Sequence, residues 1–355
     1  MLRVAVVGLG MAAEPHARSL AELQDRIEVR WMATRSAARR DAFAERFAFP
    51  TTCDVEAAIT DPDVDAVFLL TPPDTHFELA ALALSHGKHL LIEKPLDASL
   101  SRAAEIVARA RAARLQLGVV LQHRFRPAAR RLRALMSEGA LGRIQFASLA
   151  VPWWRPQAYY DEPGRGALAR DGGGVLMTQA IHSLDLFRSL AGPFEVIAAR
   201  ASTTALHRME TEDHVAALLG LPGGGSATVM ATTASYPGQP ERIEIVGDRA
   251  AVVLSGGKLD VDFLDGRSEQ LRGDSASGAG VRPMDFPHGA HRALIEDFHR
   301  AVANGGAPEA SGEEALATQA LIAEILAASG PVRKLGNPSL ASNDTPQEDI
   351  LCDPC

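Results

Sequence analysis

The chain has 355 residues, 46% of them hydrophobic and 23% charged, which is enough apolar material for two ordinary globular domains. A formal net charge of −8 with only scattered basic residues excludes a nucleic-acid footprint, which needs a concentrated basic face, so local basic clusters are read as sites for small anions. Three cysteines, Cys53, Cys352 and Cys355, are too few and too badly placed for a disulfide framework, and Cys352-Asp-Pro-Cys355 lacks the second ligand pair of a zinc site, so a reducing compartment and no metal centre are expected.

The chain opens with an apolar stretch after Arg3 that is too short for a signal peptide, and no later run approaches the roughly 18 residues of a membrane span, so a cytoplasmic protein is expected. Val4, Val6 and Val7 instead read as a buried parallel strand. It runs into Gly8-Leu-Gly10-Met11-Ala12-Ala13, a G-x-G-x-x-A turn. The first glycine permits the tight turn, the second lets the backbone approach a pyrophosphate, and a helix then aims its free N–H groups at the phosphates. Gly8, Gly10, Met11 and Ala12 are therefore candidate dinucleotide contacts. The next strand ends in Thr34-Arg35-Ser36, where an NAD site usually carries an acidic residue for the ribose. A cation flanked by hydroxyls suits a 2′-phosphate, so Thr34, Arg35 and Ser36 predict NADP as the preferred coenzyme, with NAD still possible.

Further along, 37–47 reads as a helix and Asp54 as the N-cap of a short one. An apolar run over 65–70 reads as a strand ending in Thr71-Pro72-Pro73-Asp74-Thr75-His76, with Asp74 placed to cap the helix over 75–86. Residues 89–92 read as a strand that delivers Glu93-Lys94-Pro95 at its C-terminal end, the edge where open parallel sheets bind ligands. A helix over 99–113 and a strand over 117–122 complete a doubly wound sheet. Beyond Gln122 the pattern changes. A basic helix over 127–138 and a strand over 144–151 lead to an irregular stretch, 152–174, rich in Gly, Pro, Trp, Tyr and Arg, which has the composition of a binding loop. A helix is predicted over 175–190, and five or six alternating strands over 194–271 predict an antiparallel sheet. Helices over 291–303 and 313–329 close the fold, and 331–355 is expected to be a mobile tail.

Arg124, Arg155 and Arg165 interleave with Trp153, Trp154, Tyr159 and Tyr160. Aromatic faces stack on sugar rings and arginines pair with carboxylate or phosphate, which predicts an anionic, sugar-like substrate held by Arg124, Trp154, Arg155, Tyr160 and Arg165.

The opening G-x-G-x-x-A, the Thr71–His76 turn, Glu93-Lys94-Pro95, Gln122-His-Arg-Phe125 and Gly172-Gly-Gly-Val-Leu-Met-Thr-Gln-Ala-Ile-His-Ser-Leu-Asp185 together resemble the Gfo/Idh/MocA family of nicotinamide-dependent oxidoreductases over roughly residues 1–330. The resemblance implies an α/β chain: an N-terminal Rossmann doubly wound parallel sheet (1–122), then a C-terminal α+β domain (123–330) whose open, mostly antiparallel sheet builds homodimers or tetramers. It implies coenzyme contacts at Thr71, Pro72, Pro73, His76, Glu93, Lys94, Pro95 and Gln122, with the Lys94–Pro95 peptide cis and Lys94 beside the nicotinamide. It also implies that His182 faces the substrate, so that Lys94 polarises the reacting oxygen and a neutral His182 exchanges its proton. Asp185, three residues on, is expected to fix the His182 tautomer. The chain departs from the pattern at Thr178, where many members carry an aspartate; Thr178 is given a supporting role, and its Thr-Gln-Ala-Ile-His form resembles the branch acting on sugar acids and nucleotide-linked sugars. Two other readings remain open, a reductase of a non-sugar cyclic or unsaturated metabolite and a non-catalytic nucleotide sensor, which coenzyme reduction assays on a substrate panel would separate.

Overall fold

The structure, a computed structural model, describes residues 1–273 and 287–335. Six parallel strands form the first sheet: β1 (Leu2–Val7), β2 (Ile27–Ala33), β3 (Thr51–Thr52), β4 (Ala66–Leu69), β5 (His89–Ile92) and β6 (Leu117–Val119). Their order is β3-β2-β1-β4-β5-β6, so the sheet winds outward in both directions from β1 and β4. All of β4 is buried, as is most of β1 and β5, which explains their unbroken apolar character: helices cover both faces of this sheet. Phe68, Leu90, Leu91 and Ile92 are fully buried, each contributing about 1.5–3 kcal/mol relative to exposure.

The second sheet has nine strands: β7 (Ile144–Pro152), β8 (Glu195–Thr203), β9 (His214–Gly220), β10 (Ser226–Thr232), β11 (Arg242–Gly247), β12 (Ala250–Ser255), β13 (Lys258–Phe263), β14 (Ser268–Leu271) and β15 (Arg333–Lys334). Most neighbours are antiparallel, but β7 runs parallel to β10, and β15 parallel to β8. Seven strands therefore occupy 194–271, more than expected, because Gly247–Ala250 and Ser255–Lys258 turn so tightly that two hairpins fit where sequence showed longer runs. Burial alternates along β9 and β11, the mark of a sheet with one covered face. Phe146 on β7, Ile197 on β8 and Leu218 on β9 are exposed.

The helix Gly312–Ser329 packs on β8 and on the helix Leu100–Ala112, and so ties the two sheets together. Its Gln319 accepts from Leu96 N at 2.9 Å and donates to Asp97 O at 3.0 Å, holding the chain just after the cis Lys94–Pro95 peptide. Asp54 caps the helix Val55–Thr60 through Ala57 N, as expected, whereas Asp74 caps nothing: Pro73–Thr75 is a 3₁₀ turn, and Asp97 accepts from Phe77 N instead. The expected helix over 175–190 is two helices, Val175–Thr178 and Ile181–Ala191. The first residues of the expected mobile tail form β15, and the remainder, 336–355 with Cys352 and Cys355, lies outside the described residues. Among the described residues no helix is long and apolar enough to cross a membrane.

Candidate active site

A cavity of about 690 Å³ opens where the C-terminal edge of the first sheet meets the irregular segment that follows β7, within the size range of small-molecule sites. Met11, Ala12, Thr71, Glu93, Lys94 and Gln122 form its wall on the first sheet's side. Their placement follows from backbone geometry. Gly8 has φ +106°, and a Cβ there would sit 2.7 Å from the carbonyl group of Leu70, so the β1 turn closes directly on the end of β4. Around Gly10, by contrast, a Cβ would meet nothing within 4 Å, which leaves an open main-chain face at the start of the helix Ala13–Glu22. That arrangement fits a dinucleotide pyrophosphate. At the end of β2, Thr34 is buried and Ser36 caps the helix Ala37–Ala44 by accepting from Arg39 N. Arg35 and Arg39 are exposed and make no ion pair among the described residues.

Glu93 and Lys94 follow β5 onto the cavity wall. Lys94 Nζ donates to the carbonyl oxygen of Thr178 at 2.7 Å. The supporting role of Thr178 is thus carried by its main chain, which any residue would supply, while its hydroxyl bonds to Gly174 O and Gln179 Oε1. The departure from aspartate at this position leaves the lysine anchored. Burial pushes the Lys94 ammonium down from its usual range, with Glu93 opposing. Burial also pushes the Glu93 carboxyl up, but the hydrogen bond and charge of His16, with Lys94 alongside, outweigh this and hold it below the ordinary carboxylate range.

His182, in the first turn of the helix Ile181–Ala191, lines the same cavity. Burial, and then the charge of Lys94, hold its pKa well below the ordinary histidine value, so the ring is neutral at physiological pH. Its Nδ1 is buried with no hydrogen-bond partner among the described residues. Asp185 does not reach it. That carboxylate receives Arg124 at 2.6 and 2.7 Å and Thr318 Oγ1 at 2.8 Å, so its lone pairs are spent in the core. What faces His182 is His123, stacked at 5.1 Å between ring centroids and itself held neutral by burial and by Arg126.

Several expected site residues lie elsewhere. Arg124 is 3% exposed and is held by Asp185, Glu314 and the Glu309 carbonyl, so it is a structural cation rather than a substrate contact. His76 is fully buried, with Nε2 at 2.8 Å from Thr71 O and Nδ1 at 3.1 Å from Pro95 O and Leu96 O; it clamps two loops together instead of touching coenzyme. Trp154 packs against His207 and Tyr236, Tyr160 bonds Thr233 Oγ1 at 2.6 Å, and Arg165 pairs with Glu162 and covers the Tyr159 ring at 4.1 Å. Pro72, Pro73 and Pro95 shape the turns behind the wall without lining it. Of the expected substrate group, Arg155 and His182 line the cavity, and Trp153 and Tyr159 take the places given to Trp154 and Tyr160. Alternation along an extended chain explains the swap of tryptophans, since neighbours face opposite sides. Arg155 sits 5.4 Å from the Trp153 ring and 5.7 Å from that of Tyr159, within reach of cation–π attraction. Sequence reasoning also missed His123, Arg126, Arg130, Gln179 and His291. Arg126 and Arg130 are i and i+4 at the start of the helix Pro127–Ser137, a spacing that could have flagged a shared cationic face.

Residues 2–121 match the model of the oxidoreductase family with an NAD-binding Rossmann fold, and 129–253 that of the GFO/IDH/MocA C-terminal domain. The 1,5-anhydro-D-fructose reductase of Ensifer adhaerens is 30% identical over 293 residues, 81% of this chain and 84% of that one. The chain belongs to the Gfo/Idh/MocA family of NAD(P)-dependent oxidoreductases. An uncharacterized oxidoreductase of Synechocystis sp. is 28% identical over 228 residues, 60% of this chain and 60% of that one. Among solved structures, the WlbA dehydrogenase of Bordetella pertussis, in complex with NADH and UDP-GlcNAcA, superposes with a TM-score of 0.81 at 25% identity over 92% of this chain and 95% of that one.

Proposed function

We propose that this Gfo/Idh/MocA member transfers hydride between a nicotinamide coenzyme, NADP(H) in preference to NAD(H), and a hydroxyl or ketone carbon of an anionic, sugar-like substrate. The observation that carries the reading is one cavity walled by the glycine turn, Lys94, His182 and Arg155 together. When bound, the nicotinamide supplies or accepts the hydride. Gly8, Gly10, Met11 and Ala12 hold the pyrophosphate against main-chain N–H groups, and Gln122, whose buried Oε1 has no partner among the described residues, offers an acceptor on the same wall. Lys94 holds the substrate oxygen while keeping one N–H on Thr178 O. His182, neutral, takes the hydroxyl proton in oxidation or returns it to the carbonyl oxygen in reduction.

Charge supports an anionic substrate. Among the described residues of the wall, Lys94, Arg126, Arg130 and Arg155 stand against the one carboxylate of Glu93, although Arg126 is bound to Glu241. The structure of WlbA with UDP-GlcNAcA shows that a relative takes a sugar acid. The exposed Arg35 and Arg39, with Ser36 and the helix N-terminus between them, support NADP, since a 2′-phosphate would find two cations and free N–H groups there. The exposed apolar residues of the second sheet support a homo-oligomer through that face, and the few cysteines a cytoplasmic setting. Coenzyme reduction by a panel of neutral sugars, sugar acids and nucleotide sugars tests the whole reading. The expected result is turnover of acids with NADP at least about tenfold better than with NAD; turnover of neutral sugars only would overturn the anionic part, and a tenfold preference for NAD the coenzyme part.

A further inference from the structure

Outside the residues given a part in hydride transfer, three donors from distant parts of the chain meet at one edge of the cavity. His16 comes from the helix Ala13–Glu22, Glu93 from the end of β5, and His291 from the helix Gly289–Asn304. One ligand atom from each lies within 4.8 Å of the others. We propose that His16, Glu93 and His291 form a binding site for a divalent cation of the zinc class, open on its fourth side to the cavity.

The donor set selects the ion. Two imidazoles and one carboxylate suit a borderline cation such as Zn²⁺, whereas Mg²⁺ and Ca²⁺ demand oxygen shells that this cluster cannot supply. The geometry is close to what such an ion imposes. Two ligands held about 2.0–2.1 Å from a tetrahedral ion stand about 3.3 Å apart, and His16 Nε2 lies 3.2 Å from Glu93 Oε1. The His16 and His291 rings meet edge to face with centroids 5.3 Å apart. Both histidines are almost fully buried, and Glu93 is 13% exposed on its side chain, which keeps competing water away.

A divalent ion of this class binds imidazole nitrogens and a carboxylate oxygen, the donors that meet here. Without an ion, Nε2 of His16 is turned to the Glu93 carboxylate as a hydrogen-bond partner, while its Nδ1, on the far side of the ring, has no partner among the described residues. Glu93 and His291 both lie on the cavity wall, which places the open coordination position toward it. The site does not depend on which substrate is turned over.

The test uses the full chain carrying Cys352→Ser and Cys355→Ser, so that the terminal C-x-x-C cannot account for bound metal. After EDTA treatment the protein is titrated with Co²⁺ alone, and with Zn²⁺ in competition with a chromogenic chelator. The proposal expects about one equivalent of each, the visible d–d bands of four-coordinate cobalt, and a rise in thermal midpoint that EDTA reverses. His16→Gln and His291→Gln should each weaken Zn²⁺ binding at least tenfold while the circular dichroism spectrum is retained. Should a variant fail to fold, X-ray absorption of the zinc-loaded parent decides, with two imidazoles in the shell expected. No cobalt bands, or zinc affinity equal in the parent and in a folded His16→Gln/His291→Gln variant, would overturn the site.

Discussion

The two walls of the cavity are built by different rules. On the first sheet's side, Met11, Thr71, Glu93 and Lys94 are placed by the ends of parallel strands, and the backbone alone brings them to one edge. On the opposite side, Trp153, Arg155, Tyr159 and His182 come from an irregular segment and a helix whose faces are chosen by packing with residues far away in sequence. The first wall is a property of strand order, the second of tertiary pairing. Substitutions on the two walls should therefore fail in different ways.

Lys94→Ala is the largest expected loss. Turnover should fall on the order of 10³-fold, with coenzyme affinity by fluorescence titration changed only a few-fold. A loss of binding in proportion to rate would show that the lysine frames the first wall and does no chemistry. Next, Arg124→Met should cost about 3–5 kcal/mol of unfolding free energy in denaturant, because Asp185 is left buried and uncompensated. Arg155→Met, on the cavity wall, should instead raise the substrate KM while shifting stability far less. Equal stability losses would erase the distinction between a cation that holds the fold and one that faces the substrate.

Acid should cost stability through the buried histidines around the cavity. His123, His182 and His291 are held neutral by burial, so their folded pKa values lie below the unfolded value of about 6.5. The unfolded chain then binds more protons, and the stabilisation is complete above about pH 6.5 and is lost as pH falls below it. Each histidine contributes a slope of up to about 1.4 kcal/mol per pH unit, readable in denaturation curves between pH 7 and 5. His123→Phe should flatten that slope by one histidine's share; no change would mean that His123 is already charged when folded. The smallest effect separates neighbours. Trp153→Ala should raise the substrate KM several-fold, and Trp154→Ala should leave it within about twofold while lowering stability by loss of its contacts with His207 and Tyr236.

The same contrast explains what could be read from the chain. The Rossmann half was legible because its signals are local: apolar runs, a glycine turn with φ +106° at Gly8, and strand ends that need no partner to be placed. On the second wall the residue types were legible but not the members. Tryptophans and tyrosines side by side gave no sign of which one faced inward. Arg124 looked like Arg155 in sequence, and only Asp185, Glu314 and Thr318, between 61 and 194 positions away, decide that it is buried. Asp185 was assigned to His182 by helix spacing, and that same distant arginine takes it. The interruption at Gln179 and Ala180, which leaves the Thr178 carbonyl open to Lys94, carries no glycine or proline to announce it.

The central claim is that Lys94 and His182 address one substrate oxygen across the two walls. A crystal structure of the ternary complex with coenzyme and a non-reactive substrate analogue tests it most directly. The account predicts Lys94 Nζ and a ring nitrogen of His182 both within about 2.6–3.2 Å of the same oxygen, with the lysine still on Thr178 O. An analogue bound with that oxygen beyond reach of either group would contradict it.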